Sequence, residues 1–200
     1  LILFLMLMNN YLLGYFLIII GLFSTFEFSN FISKIFSKFK IKSFLINLFF
    51  IIYFFSFCAI FLSLSNFAYL KIIIFVMLLT CVFSDIGGYV FGKIFKGPKL
   101  TSISPNKTIN GSIGSFLFSS IFLSLSIYFL TGNFNYKIVL IGCITSMSCQ
   151  IGDLFFSYLK RKSKLKDTGN FLPGHGGILD RIDGLLFGLP IGMISLTFIY

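Results

Sequence analysis

Apolar residues run through this chain in long blocks, broken by short polar loops. Six blocks reach about 18 to 24 residues, the length a tilted helix needs to cross about 30 Å of hydrocarbon. They are Tyr11 to about Phe28, Phe44–Leu64, Ala68–Phe91, Gly111–Thr131, Tyr136–Leu159 and Ile182–Tyr200. No polar residue alternates with apolar ones as a membrane barrel requires. A helix satisfies its own backbone hydrogen bonds in lipid, so the pattern predicts an all-α, polytopic transmembrane helical bundle. Leu1 to Met8 is apolar but too short to span, and it is expected to be the end of a truncated span; Asn9 and Asn10 predict a turn. The whole of residues 1–200 is expected to form one integral-membrane domain with an incomplete N-terminus.

A hydrophobic content of 57% with only 11% charged residues excludes an ordinary soluble domain. Cys58, Cys81, Cys143 and Cys149 lie inside apolar runs without ligand-like spacing and read as small buried hydrophobes. The net charge of +10 is where composition changes the picture. In so apolar a chain, it points to the membrane surface and to phosphorylated substrates, with no nucleic acid among the partners. The basic residues are also sorted. Lys34, Lys38, Lys40 and Lys42 follow the first span. Lys93, Lys96, Lys99 and Lys107 follow the third, and Lys160, Arg161, Lys162, Lys164, Lys166 and Arg181 the fifth. Fourteen of the sixteen thus fall on one side, with Lys71 and Lys137 opposite. The positive-inside rule makes the crowded side cytoplasmic.

Two polar islands carry the candidate chemistry. Along a helix at the end of the fifth span, Asp153, Ser157, Lys160 and Arg161 are spaced i, i+4, i+7, i+8 and share one face. Asp180 and Asp183, spaced i, i+3, share a face at the start of the sixth span, where the helix dipole favours carboxylates. With Asp153 closing the set, these carboxylates suit a hard cation such as Mg²⁺. Arg181 is turned about 100° away, toward a different phosphate. Glycines around His175, among them Gly176 and Gly177, let the backbone approach an anion. His175 itself reads either as an acid–base group or as a hydrogen-bond donor holding the loop. The second island, Asp85 to Gly111, combines lysines, hydroxyls and glycines as a phosphate-binding loop does.

The stretch Ser157–Asp183 closely resembles the signature of the phosphatidate cytidylyltransferases, or CDP-diacylglycerol synthases. The matching positions are Ser157, Lys160, Arg161, Lys166, Asp167, His175, Gly176, Gly177, Asp180, Arg181 and Asp183. The second island resembles that family's other block at Asp85, Gly87, Gly88, Tyr89, Gly92, Lys93, Ser104, Pro105, Lys107, Thr108 and Gly111. It departs from the block at Ile109 and Asn110, where the family commonly has Trp-Glu, and Phe156 stands where an acidic residue usually precedes the serine.

The resemblance implies transfer of CMP from CTP to phosphatidate, giving CDP-diacylglycerol and pyrophosphate. It implies Mg²⁺ on Asp153, Asp180 and Asp183, with a second cation alongside. The catalytic group would be Asp153, Lys160, Asp180 and Asp183. Substrates would be bound by Asp85, Ser104, Lys107, Thr108, Ser157, Arg161, Lys166, Asp167, His175, Gly176, Gly177 and Arg181. The expected partners are CTP, phosphatidate, the surrounding bilayer and a second copy in a homodimer. The expected location is a bacterial-type inner (plasma) membrane, with the site facing the cytoplasm. Ser104–Thr108 is expected to lie beside the acidic site. Two other classes stay open, a CTP-dependent lipid-alcohol kinase and a non-catalytic transporter or scaffold.

The charge partition is directly testable. Single cysteines placed in the loops at 93–107 and 160–181 are expected to escape an impermeant thiol reagent applied outside intact cells; labelling of either loop overturns the assigned topology.

Overall fold

The computed structural model describes residues 9–165, 168–169 and 176–199. Their regular structure is helical: α1 (Asn10–Ile35), α2 (Lys40–Ser65), α3 (Ala68–Phe95), α4 (Ile109–Thr131), α5 (Tyr136–Lys162) and α6 (Leu179–Ile199). All six are long and apolar enough to cross a membrane, in agreement with the six expected spans. The ends differ from the apolar blocks. The first helix runs past Phe28 to Ile35, the third past Phe91 to Phe95, and the fifth past Leu159 to Lys162. Hydropathy marks the part of a helix that lipid requires, whereas backbone hydrogen bonding carries the helix on into the polar interface. Asn9 is the N-cap of α1 and accepts a hydrogen bond from the Tyr11 amide at 2.8 Å, so Asn10 is helical where a turn was expected.

The chain forms two compact units, residues 1–72 with 156–182 and residues 73–155 with 183–200. In the first, aromatic packing joins the helices. The rings of Phe28 and Phe50 stack with centroids 3.9 Å apart, and Phe156 meets them edge-on at 6.5 and 6.4 Å. Such pairs add to the burial of their own area.

The second unit is built on small residues. Gly87, Gly88 and Gly92 on α3 face Gly111, Gly114 and Ser115 on α4 so closely that backbones nearly touch: a Cβ on Gly111 would lie 2.7 Å from the Gly88 carbonyl oxygen. Close approach of this kind drives helix association in lipid, where apolar burial between helices gains little. Hydroxyls join the same packing. Ser84 and Ser146 bond across α3 and α5 at 2.7 Å, and the Ser119 hydroxyl donates to the Gly142 carbonyl at 3.1 Å.

Gly114→Ala is expected to destabilise the solubilised protein by about 1–3 kcal/mol, because its methyl would press into Phe91 and the Gly87 carbonyl. Gly14→Ala, whose nearest neighbour would be Leu62 at 3.6 Å, is expected to melt within a degree or so of the parent. Circular-dichroism melting compares the two.

Candidate functional site

In the first unit the acidic groups gather at the start of α6. That helix opens Gly177-Ile178-Leu179, with no side chain able to cap its free amides. Glu27, 4% exposed and carried by α1, supplies the missing acceptor. Its carboxylate accepts from the Ile178 amide at 3.0 Å, the Leu179 amide at 2.9 Å and the Thr168 hydroxyl at 2.9 Å. It is an N-cap provided from another helix, and its charge opposes the positive end of the helix dipole. Gly169 and Gly177 pack directly on it; a Cβ on Gly177 would collide with Thr168 and lie 2.5 Å from Glu27 Oε2.

The cap positions Asp180. One of its oxygens pairs with Lys160 Nζ at 2.6 Å. The other accepts from the Thr168 amide at 2.9 Å and the Gly177 amide at 3.1 Å, and it shares the single Thr168 hydroxyl proton with Glu27, the hydroxyl oxygen lying 2.9 Å from each carboxylate. Lys160 and Asp180 have side chains only 13% exposed, and breaking the pair would leave either charge without its partner. Ser157 and Arg161 follow along α5, the first half-buried and the second exposed. Arg181 is exposed beside Asp180 in sequence, and Gly176 takes a left-handed backbone at φ 80°. Lys166, Asp167 and His175 lie outside the described residues.

The second unit holds the other group. The loop from Lys96 to Thr108 folds back on itself through Leu100 N to Lys107 O at 2.8 Å, Lys107 N to Ser104 O at 3.1 Å and Ile109 N to Pro98 O at 3.1 Å. Thr108 ends it by capping α4, its hydroxyl accepting from the Gly111 amide at 3.1 Å. The fold of the loop sends Lys107 into a cavity of about 360 Å³ shared with Asp85, Ser104, Thr108, Gln150 and Asp153. There Lys107 Nζ bonds Asp153 Oδ2 at 2.8 Å. The expected proximity of Lys107 to an acidic site residue is therefore met at Asp153. Asp183 lies close by: Gly152 and Gly184 bring α5 and α6 together, and a Cβ on Gly184 would sit 2.7 Å from Asp153 Oδ1. Asp183 Oδ1 accepts from the Gly184 amide at 2.9 Å.

Carboxylate oxygens are the donors Mg²⁺ prefers, and Asp153 already holds a cation in the form of the Lys107 ammonium. Among the described residues no three acidic, histidine or cysteine side chains stand together as an ion's ligands; Asp180 spends its oxygens on Lys160, Thr168 and Gly177. Sequence reasoning noted Glu27 at the end of the first span, only weakly within the family resemblance, and gave neither it nor Gln150 a role in the site. The signal for Glu27 was present, because a lone carboxylate inside an apolar span needs an internal partner.

The sequence matches the cytidylyltransferase family over residues 1–199. It is similar to the phosphatidate cytidylyltransferase of Staphylococcus aureus (strain COL), 49% identical over 111 residues, 54% of this chain and 42% of the relative. That of Mycobacterium leprae is 38% identical over 125 residues, 62% of this chain and 40% of the relative. That of Helicobacter pylori is 37% identical over 123 residues, 61% of this chain and 46% of the relative. The aligned part thus spans less than half the length of each relative.

Glu27→Ala is expected to speed hydrogen–deuterium exchange at the Ile178 and Leu179 amides by roughly tenfold or more, since each loses an acceptor worth on the order of 1–3 kcal/mol. Glu27→Gln, which keeps one acceptor oxygen, should fall between. Unchanged exchange in both variants overturns the cap.

Proposed function

The chain belongs to the cytidylyltransferase family, and from that premise we propose that it transfers CMP from CTP to phosphatidate, releasing pyrophosphate. The observation that carries the reading is the cavity where Lys107, Asp85 and Asp153 meet beside the Ser104–Thr108 loop, at the end of helices apolar enough to lie in lipid. A lipid phosphate reaches such a place with its acyl chains still in hydrocarbon, and a nucleotide reaches it from water. The proposed side is the cytoplasm, on the partition of basic residues.

In the reaction a phosphatidate phosphate oxygen attacks the α-phosphorus of CTP. The bond from that phosphorus to the bridging oxygen breaks, and the β- and γ-phosphates leave together. The attacking phosphate is already ionised near neutral pH, so the protein's task is to hold two anions in line and offset their charge. Lys107 would exchange its bond to Asp153 for phosphate oxygens, a substitution an ammonium makes easily because it imposes no fixed geometry. Ser104 and Thr108 would orient oxygens at the same loop. Within the first unit Lys160, held by Asp180, is a cation available to a phosphate, with Arg161 and Arg181 as guanidinium donors. Mg²⁺, when bound, supplies neutralisation of charge on the triphosphate. Asp153 and Asp183 are the carboxylates of the second unit that would hold it. Glu27 would act at one remove, by fixing the turn on which Asp180 rides.

The test uses the purified protein, phosphatidate and CTP labelled either in the cytidine or at the γ-phosphate. Cytidine label should appear in lipid and γ label in pyrophosphate. Label from the γ-position in lipid would make the protein a kinase, and no transfer of either would support a non-catalytic role. Asp183→Asn is expected to lower transfer by at least a hundredfold, about 2.7 kcal/mol of barrier, with the protein still inserted and its melting unchanged. Near-normal turnover at limiting Mg²⁺ would remove Asp183 from the site.

A further inference from the structure

At the end of the first unit remote from the Lys34–Lys42 loop, the start of α1, the end of α2 and the start of α3 enclose a cavity of about 710 Å³. It falls in the size range of small-molecule sites. The residues around it divide in two. Asn9, Asn10, Asn66 and Lys71 form a polar rim, while Gly14, Ile18 and Leu62 continue it down an apolar groove between α1 and α2.

The rim is organised around the Lys71 ammonium. Lys71 is half-buried and donates to Asn10 Oδ1 at 3.2 Å, and Asn10 in turn donates to Asn66 Oδ1 at 2.8 Å and toward the Ser65 carbonyl at 3.4 Å. The Asn10 amide oxygen is its one side-chain partner among the described residues, and no carboxylate pairs with it there. Along α1 the first acid is Glu27, about 25 Å up the helix at 1.5 Å per residue. Along α3 it is Asp85, about 20 Å away by the same rise. A cation at the edge of hydrocarbon without an opposite charge is costly. The arrangement leaves two ammonium protons and the Asn66 amide nitrogen for an oxygen-rich anion.

The rest of the cavity says what kind of anion. Tyr11 and Tyr15, 81% and 70% exposed, line it as interfacial aromatic residues line a membrane surface. The groove below the rim stays open because Gly14 has no side chain; even a methyl there would reach Leu62 at 3.6 Å. A polar rim over an apolar groove matches a molecule with a phosphate head and an acyl tail. A choline headgroup would bring a second cation to a rim with no carboxylate to receive it. We propose that this cavity binds the phosphate headgroup of an anionic phospholipid, with one acyl chain in the groove between α1 and α2. This site is separate from the residues assigned to CTP and phosphatidate above and does not depend on that assignment.

The probe is native mass spectrometry of the detergent-solubilised chain, titrated with phosphatidylglycerol, phosphatidylcholine or inorganic phosphate. Lys71→Met is expected to weaken the tightest phosphatidylglycerol event about tenfold, the loss of one charge-assisted hydrogen bond. Lys71→Arg should keep it, and Lys137→Met, which removes the other lysine of that side, should bind as the parent does. Asn66→Ala, at an exposed position, should weaken it about threefold and gives the reading if Lys71→Met does not fold. Equal phosphatidylglycerol binding by the parent, Lys71→Met and Asn66→Ala overturns the site. So does a Lys71-dependent event that is as tight for phosphatidylcholine. Lys71-dependent binding of inorganic phosphate without phosphatidylglycerol would overturn the lipid assignment.

Discussion

Hydrocarbon offers no partner to a charge or a backbone amide, so a group placed within it must be answered by the protein itself. Much of this structure follows from that demand. At the start of α6 the answer comes from another helix: Glu27 accepts the Ile178 and Leu179 amides that the local sequence leaves uncapped. With that end held, Thr168 and Gly177 are placed to donate to Asp180, and Asp180 to hold Lys160. A carboxylate in the first apolar block therefore sets the geometry of a motif more than a hundred residues later.

The second unit meets the same demand by proximity. Its glycines bring α3 against α4 and α5 against α6, and hydroxyls use the shortened distance to bond across. Close backbones also have a chemical consequence. The Gly152–Gly184 approach sets Asp153 against Gly184 and near Asp183, and the loop closed by Thr108 delivers Lys107 to the same carboxylate. Packing and chemistry are one arrangement here, so a methyl added at Gly184 would meet the Asp153 carboxylate itself.

Lys107 and Lys160, both half-buried, are each paired with an aspartate, one pair in each unit. An ammonium held by a carboxylate is oriented, and as a compact charge it suits phosphate oxygens without imposing a fixed geometry. The proposed lipid cavity has the opposite character: Lys71 is held by the neutral Asn10 amide, with no carboxylate against it among the described residues.

The linear pattern was enough to determine the helical, membrane-crossing architecture, the number of long helices and the family. Length and hydropathy report directly on the thickness of the bilayer, and a motif at fixed spacing survives without knowledge of the fold. It also singled out Asp153, Lys107, Lys160 and Asp180, which the fold joins in two ion pairs. Partners were beyond it. That Lys107 meets Asp153, that Lys160 meets Asp180, and that Glu27 caps α6 are contacts between segments 46, 20 and 152 residues apart. Hydrophobic periodicity carries no information about which helix faces which; that was decided by glycines small enough to let backbones touch and by the requirement that each buried charge end on a partner.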